Sequence, residues 1–93
     1  MEGFVQVAKC RIKSSNRGLE LVSIDNYWFE IEEDDPDFVK EEVELWGVED
    51  KFKARLYRPR RRIETEEGFV FDPNQWFIVL RDVEEAGELE YFV

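Results

Sequence analysis

From Phe4 to Lys13 the chain alternates: Phe4, Ala8, Cys10 and Ile12 share one parity, and Lys9, Arg11 and Lys13 the other. A period of two puts successive side chains on opposite faces, so this stretch predicts a half-buried strand, with Gln6 as the one polar residue on its apolar side. Ser14-Ser15-Asn16-Arg17-Gly18 follows as a turn, because Asn and Gly tolerate positive φ. Leu19 to Ile24 reads as a second strand, making a hairpin with the first. Asp25-Asn26 marks another turn. Tyr27 to Glu32 reads as a third strand, with Tyr27, Phe29 and Ile31 on one face and Trp28 on the other.

The pattern then changes. Asp35-Pro36 is a helix-start signal, an acidic N-cap with proline at the first helical position, and Asp37 suits the helix dipole. Phe38, Val39, Val43, Leu45 and Trp46 recur at helical spacing, with Gly47 placed as a C-terminal cap. The expectation is one helix from about Pro36 to Trp46. Alternation returns at Phe52 to Arg58, where Phe52, Ala54 and Leu56 face inward, and Pro59 marks a strand end, edge or bulge. Arg61 to Thr65 and Phe69 to Phe71 read as strands around Glu66-Glu67-Gly68. After the Asp72-Pro73-Asn74 turn, Trp76 to Leu80 is continuously apolar, which predicts a central strand covered on both faces. Glu85-Ala86-Gly87 is a turn, and Leu89 to Val93 reads as a closing strand.

These elements predict an α+β fold. A mostly antiparallel sheet of five to seven short strands packs on one helix, in a single domain spanning residues 1–93. Three strands, a helix and further strands is also the element order of an OB-like small barrel, the alternative architecture.

Composition narrows the chemistry. Ninety-three residues with 43% hydrophobic and 15% aromatic content can build a core without staples. One cysteine, Cys10, excludes an intrachain disulfide and a cysteine-based zinc cluster. The absence of histidine removes the commonest general base and metal ligand. Cys10, on the apolar side of its strand, reads as a buried, inert thiol. No signal sequence or apolar run of membrane-spanning length is visible, so the expected location is cytoplasmic. The charged fraction of 39%, with few Gln, Asn, Cys and Met, is of the kind thermophilic proteins show.

Charge is the strongest pattern. Lys51 to Arg62, KFKARLYRPRRR, carries seven basic residues and no acid, whereas residues 25–50 carry twelve acids against Lys40 alone. The formal net charge is −10. Such segregation either neutralises itself on folding or presents opposed fields to partners. Cross-strand pairing with Glu20, Glu30, Glu32, Glu64 and Glu66 would neutralise the basic block. Pro59 interrupts the alternation, and local patterning does not account for Arg58, Arg60, Arg61 and Arg62. These four, with Arg55 and an exposed Trp28, are the candidate partner-binding residues.

Other constellations are weaker. Glu30, Glu32, Glu33, Asp34, Asp35 and Asp37 read as a solvated strand end and a helix cap rather than a cation site, since the spacing is not that of a calcium loop. Pro36-Asp37 with Glu49-Asp50-Lys51 superficially resembles the PD-(D/E)xK nuclease signature, which would imply Mg²⁺ held by the acids and a lysine near the attacking water. It covers five residues and departs from the pattern in its placement on a helix start and a loop. The sequence therefore assigns no catalytic residue, metal or cofactor. It reads as an acidic, non-enzymatic protein-interaction module acting through an unidentified protein partner or as a homodimer. The alternatives are nucleic-acid binding through residues 51–62 and inhibition by acidic mimicry of nucleic acid.

Overall fold

A computed structural model describes residues 3–92. Its elements are β1 (Phe4–Ser15), β2 (Gly18–Glu32), β3 (Phe38–Trp46), β4 (Lys51–Pro59), β5 (Ile63–Glu64), β6 (Val70–Phe71), β7 (Trp76–Val79), α1 (Leu80–Glu85) and a 3-10 turn at Leu89–Tyr91. The described residues form a mostly antiparallel five-stranded sheet with one short helix.

β1 and β2 make the expected hairpin, closed at Ser15↔Gly18, but β2 absorbs both the second and third expected strands. Asp25-Asn26 is a bulge and not a turn between strands. Ala8 pairs with Trp28 and Cys10 with Ile24, so Lys9 stands opposite three residues. The Asp25 carboxylate accepts the Tyr27 N–H at 3.2 Å and fixes the bulge. A second irregularity follows at Val22, between Arg11↔Ser23 and Ile12↔Leu21. Bulges bend a strand, and these two curl the hairpin.

The helix expected at 36–46 is a strand. Asp35 accepts the Asp37 N–H on its side chain at 2.9 Å and the Phe38 N–H on its carbonyl, closing a turn rather than capping a helix. β3 then pairs with β4 along its whole length, from Phe38↔Pro59 to Trp46↔Lys51. The helical spacing arises because the two ends of β3 bury opposite faces. Phe38 enters one core; Val43 and Leu45, of the other parity, enter the other.

Neighbours run β1–β2–β3–β4–β7, and β7 pairs back with β1. Four of these contacts are antiparallel ladders. The fifth, β2 with β3, is one parallel bridge, Glu20↔Trp46, so the sheet curls without a continuous ladder at this seam. The OB-like alternative is not confirmed, since the interval it assigns to helix is β3. Trp46 anchors the seam: its indole N–H donates to the Arg17 carbonyl at 3.0 Å, and the Arg17 guanidinium lies 4.5 Å from its ring centre.

Curling produces two cores. The concave core is largely aliphatic: Ala8, Leu21, Ile24, Leu45, Ala54, Leu56 and Ile78, closed at one end by Leu80 and Val83 of α1. The other face holds Val7, Tyr57 and Val79 with an aromatic cluster of Phe29, Phe38, Phe71 and Phe77, covered by the β5–β6 hairpin. The Phe29–Phe71 and Phe71–Phe77 ring centres are 4.9 and 5.2 Å apart in edge-to-face geometry, a favoured aromatic arrangement. β7 is the central strand its sequence predicts: Ile78 faces one core, Phe77 and Val79 the other.

α1 begins at Leu80, the last residue of the expected strand, and ends in a Schellman turn. Gly87 has φ of +72°, the Glu88 N–H reaches the Val83 carbonyl and the Gly87 N–H that of Glu84. The turn sends Glu88 inward, 1% exposed, beneath the loop between β3 and β4. There its carboxylate accepts the backbone N–H groups of Val48 and Glu49. Leu89–Tyr91 is a 3-10 turn and not the expected closing strand; Val93, the last residue of that expectation, lies outside the described residues.

Candidate interaction site

The second half of the basic block folds onto the acidic turn that precedes β3. The Arg60 backbone N–H donates to the Asp37 carbonyl at 2.9 Å, and its Nε to the Pro36 carbonyl at 3.0 Å. Arg61 lies 3.8 Å from the Asp37 carboxylate and Arg62 3.0 Å from Glu64. The Tyr57 hydroxyl donates to the Glu33 carbonyl at 2.9 Å. Arg58 stacks over Trp76, 5.4 Å from the ring centre. Part of the segregated charge is therefore matched inside the fold: Arg55, Arg61 and Arg62 lie within ion-pair distance of a carboxylate, whereas Arg60 is held by backbone carbonyls and Arg58 by a ring. Of the five glutamates expected to pair with the block, Glu64 does so; Glu20 instead pairs with Arg17.

Arg55 has a different partner. Its Nε and Nη2 donate to the two Asp82 oxygens at 3.1 and 3.0 Å, and its backbone N–H donates to the same carboxylate at 2.9 Å. The hydrogen bond to Asp82 raises the Arg55 pKa above its ordinary value. Glu33 lies 3.9 Å away on the other side.

Trp28 shares a groove with Arg55 but not with Arg58, Arg60, Arg61 or Arg62. On β1, the ladder to β7 stops at Val7↔Val79 because the chain turns into α1 at Leu80. Phe4 to Gln6 continue beyond it, paired with β2 on one side and with no strand on the other among the described residues. The space left is a groove of about 820 Å³ lined by Phe4, Gln6, Trp28, Leu80, Arg81 and Leu89, among others. Trp28 is 45% exposed and Phe4 38%. Glu33, Arg55, Arg81 and Glu84 supply charge around these apolar groups. The sequence pointed to Trp28 through its position opposite Tyr27 and Phe29. It missed Phe4, whose parity assigned it to the core, because nothing local reveals that β1 outruns β7.

Among the described residues, no group of three or more Cys, Asp or Glu is arranged to hold a metal ion. The nuclease-like pattern is divided: Asp37 precedes β3 and Glu49 to Lys51 follow it, separated by a nine-residue strand of about 30 Å. Among the described residues, no helix is long and apolar enough to cross a membrane.

Cys10 packs against the aliphatic core, and burial pushes its thiol up to about 12 from 9.0. The thiolate is the reactive form, so the native thiol should react with a disulfide reagent at pH 8 at least about tenfold slower than the urea-unfolded chain. Release of the reagent's chromophore measures both rates, and equal rates would contradict the burial. Because the folded thiol has the raised pKa, its contribution to stability is full below pH 9 and is lost as pH rises towards 12.

No known protein family matches the chain, and neither curated proteins nor solved structures give a significant match.

Proposed function

We propose that the protein is a non-enzymatic interaction module that receives an extended, basic segment of a partner protein along the free edge of β1. The observation that carries this reading is the meeting, in one groove, of an unpaired strand edge with a half-exposed tryptophan. An edge supplies backbone hydrogen bonds to an added strand, and flanking pockets select its side chains. Trp28 offers a large, rigid anchor of the type that dominates binding energy, and Phe4 and Leu89 extend the apolar floor.

The charge of −10 favours a basic partner and opposes self-association through like-charge repulsion. Nucleic-acid binding through residues 51–62 is the weaker reading, since Arg55, Arg60, Arg61 and Arg62 already have protein partners.

Selection from a random peptide-display library tests the proposal. Enriched peptides should alternate apolar residues with Lys or Arg. Trp28→Ala should weaken their binding by about 100-fold while moving the melting temperature by only a few degrees, because the side chain is half exposed. Peptides that bind wild type and Trp28→Ala equally would place the interaction elsewhere.

A further inference from the structure

β4 and β7 are neighbours in the sheet, paired at Leu56↔Ile78 and Tyr57↔Phe77, and antiparallel neighbours can be joined by a two-residue turn. The chain instead makes an excursion over residues 60–75 and lays it across the aromatic face as the β5–β6 hairpin. β5 and β6 pair with each other, at Ile63↔Phe71 and Glu64↔Val70, and with no strand of the main sheet among the described residues.

The hydrogen bonds of this segment close on themselves. The Thr65 N–H donates to the Phe69 carbonyl at 2.9 Å, the Gly68 N–H to the Thr65 carbonyl at 3.0 Å and the Phe69 N–H to the Thr65 hydroxyl at 3.1 Å. The N–H groups of Asp72, Asn74 and Gln75 find acceptors within their own turn. Among the described residues, no hydrogen bond joins residues 61–75 to the rest of the molecule. The last backbone tie is at Arg60, to the Asp37 carbonyl. One ion pair crosses the seam, Arg61 to Asp37 at 3.8 Å, and both side chains are exposed, a setting in which a pair contributes little.

Side-chain packing is what holds the hairpin down. Phe71, 8% exposed, has its ring centre 4.9 Å from that of Phe29, 5.2 Å from Phe77 and 6.5 Å from Phe38. Phe69 lies against Tyr27 and Phe29, and Ile63 packs beside them. The seam is not fully closed. A cavity of about 390 Å³ remains there, with Ile63 and Phe71 of the hairpin on one side and Ile31 and Phe38 on the other. Lifting the hairpin breaks the contacts of three side chains and no ladder of the main sheet. Segments with few buried apolar contacts open locally at less cost than the whole fold. A lone two-stranded hairpin is marginal in water, so its internal hydrogen bonds are lost once it lifts.

We propose that residues 61–71 are a lid that lifts as a unit while the five-stranded sheet stays intact, uncovering an aromatic slot walled by Phe29, Phe38 and Phe77. No lid residue lines the Trp28 groove, so the device is separate from that site.

Amide hydrogen exchange, read residue by residue by NMR, tests this. The Thr65 and Phe69 amides should be at least about 100-fold less protected than the slowest amides of the β3–β4 ladder. Below the unfolding transition, urea should accelerate the ladder amides steeply and these two scarcely, because lifting the lid exposes little surface. Leu45→Ala, in the aliphatic core on the other face, should speed ladder exchange by about 30-fold or more. It should leave Thr65 and Phe69 unchanged, since the closed and lifted states lose the same packing. If Leu45→Ala does not fold, the urea series on the unaltered chain decides alone. Phe71→Ala should remove the protection of the lid amides. Three results would overturn the inference: lid amides as slow and as urea-sensitive as the ladder, lid exchange that accelerates in step with the ladder in Leu45→Ala, or lid protection that survives Phe71→Ala.

Discussion

Glu88→Ala should lower the unfolding free energy by about 3 kcal/mol, and Gly47→Ala by a comparable amount through the same contacts. The Glu88 carboxylate is the one buried charged group among the described residues, and it accepts N–H groups from Val48 and Glu49 across 40 and 39 residues. Hydrogen bonds to a charged group contribute about 1.5–3 kcal/mol each, and their loss strands two donors in a partly buried loop. Gly47 closes the latch from above. A Cβ there would overlap the carboxylate, so alanine displaces Glu88 from its donors. The backbone of Gly47 is not in the left-handed region, so packing and not conformation requires glycine here.

For a domain of this size, about 3 kcal/mol corresponds to a fall in melting temperature of roughly 10–25 °C. The decisive measurement is the double variant. If both substitutions act through one contact, Gly47→Ala/Glu88→Ala should be scarcely less stable than Glu88→Ala alone, because the shortened side chain leaves room for the Cβ. Urea unfolding of the four proteins gives the coupling energy; effects that add to within about 0.5 kcal/mol would show that the latch does not exist.

This latch also marks how far the sequence could be read. The β1–β2 hairpin, the strand at 51–59, the small hairpin around Gly68 and the two-sided β7 were legible because each obeys a local rule of alternation or turn chemistry. β3 was not, because Phe38 serves one core and Val43 and Leu45 the other. A strand that changes its buried face mid-length prints apolar residues at helical intervals, and Asp35-Pro36-Asp37 suits an Asx turn as well as an N-cap. Glu88 gave no signal at all. Glutamate is ordinarily a surface residue, and only the Schellman turn at Gly87 and a loop 40 residues distant bury it.

The interaction site divides in the same way. Trp28 was legible from its parity against Tyr27 and Phe29. The groove around it was not, since it exists because two strands of different length stop at different points. The arginines misled for a related reason. Charge is counted along the chain, whereas pairing is decided by which turn lies nearby in space. The acidic residues 33–37 and the basic residues 55–62 meet through the β3–β4 register.

Disruption of the Arg55–Asp82 pair should be the second large effect, and it should reach function as well as stability. Asp82→Ala removes the acceptor of three Arg55 hydrogen bonds, one of them from the backbone. Breaking one side of a buried pair costs about 3–5 kcal/mol, but Arg55 keeps 25% of its side chain exposed and Asp82 15%, so about 2 kcal/mol is expected here. Arg55→Lys should recover little relative to Arg55→Met, because an ammonium cannot reproduce the paired geometry. Thermal and urea unfolding check both, and an Arg55→Lys protein as stable as wild type would refute the bidentate account. The functional consequence follows from position. Arg55 lines the Trp28 groove, where Asp82 now cancels its charge. In Asp82→Ala the guanidinium faces the groove uncompensated except by Glu33. Basic peptides that bind wild type should then bind several-fold more weakly, and more so at low ionic strength, where charge repulsion is least screened. A peptide affinity unchanged by Asp82→Ala at low salt would mean that the basic ligand does not pass Arg55, and would move the proposed path along β1 away from α1.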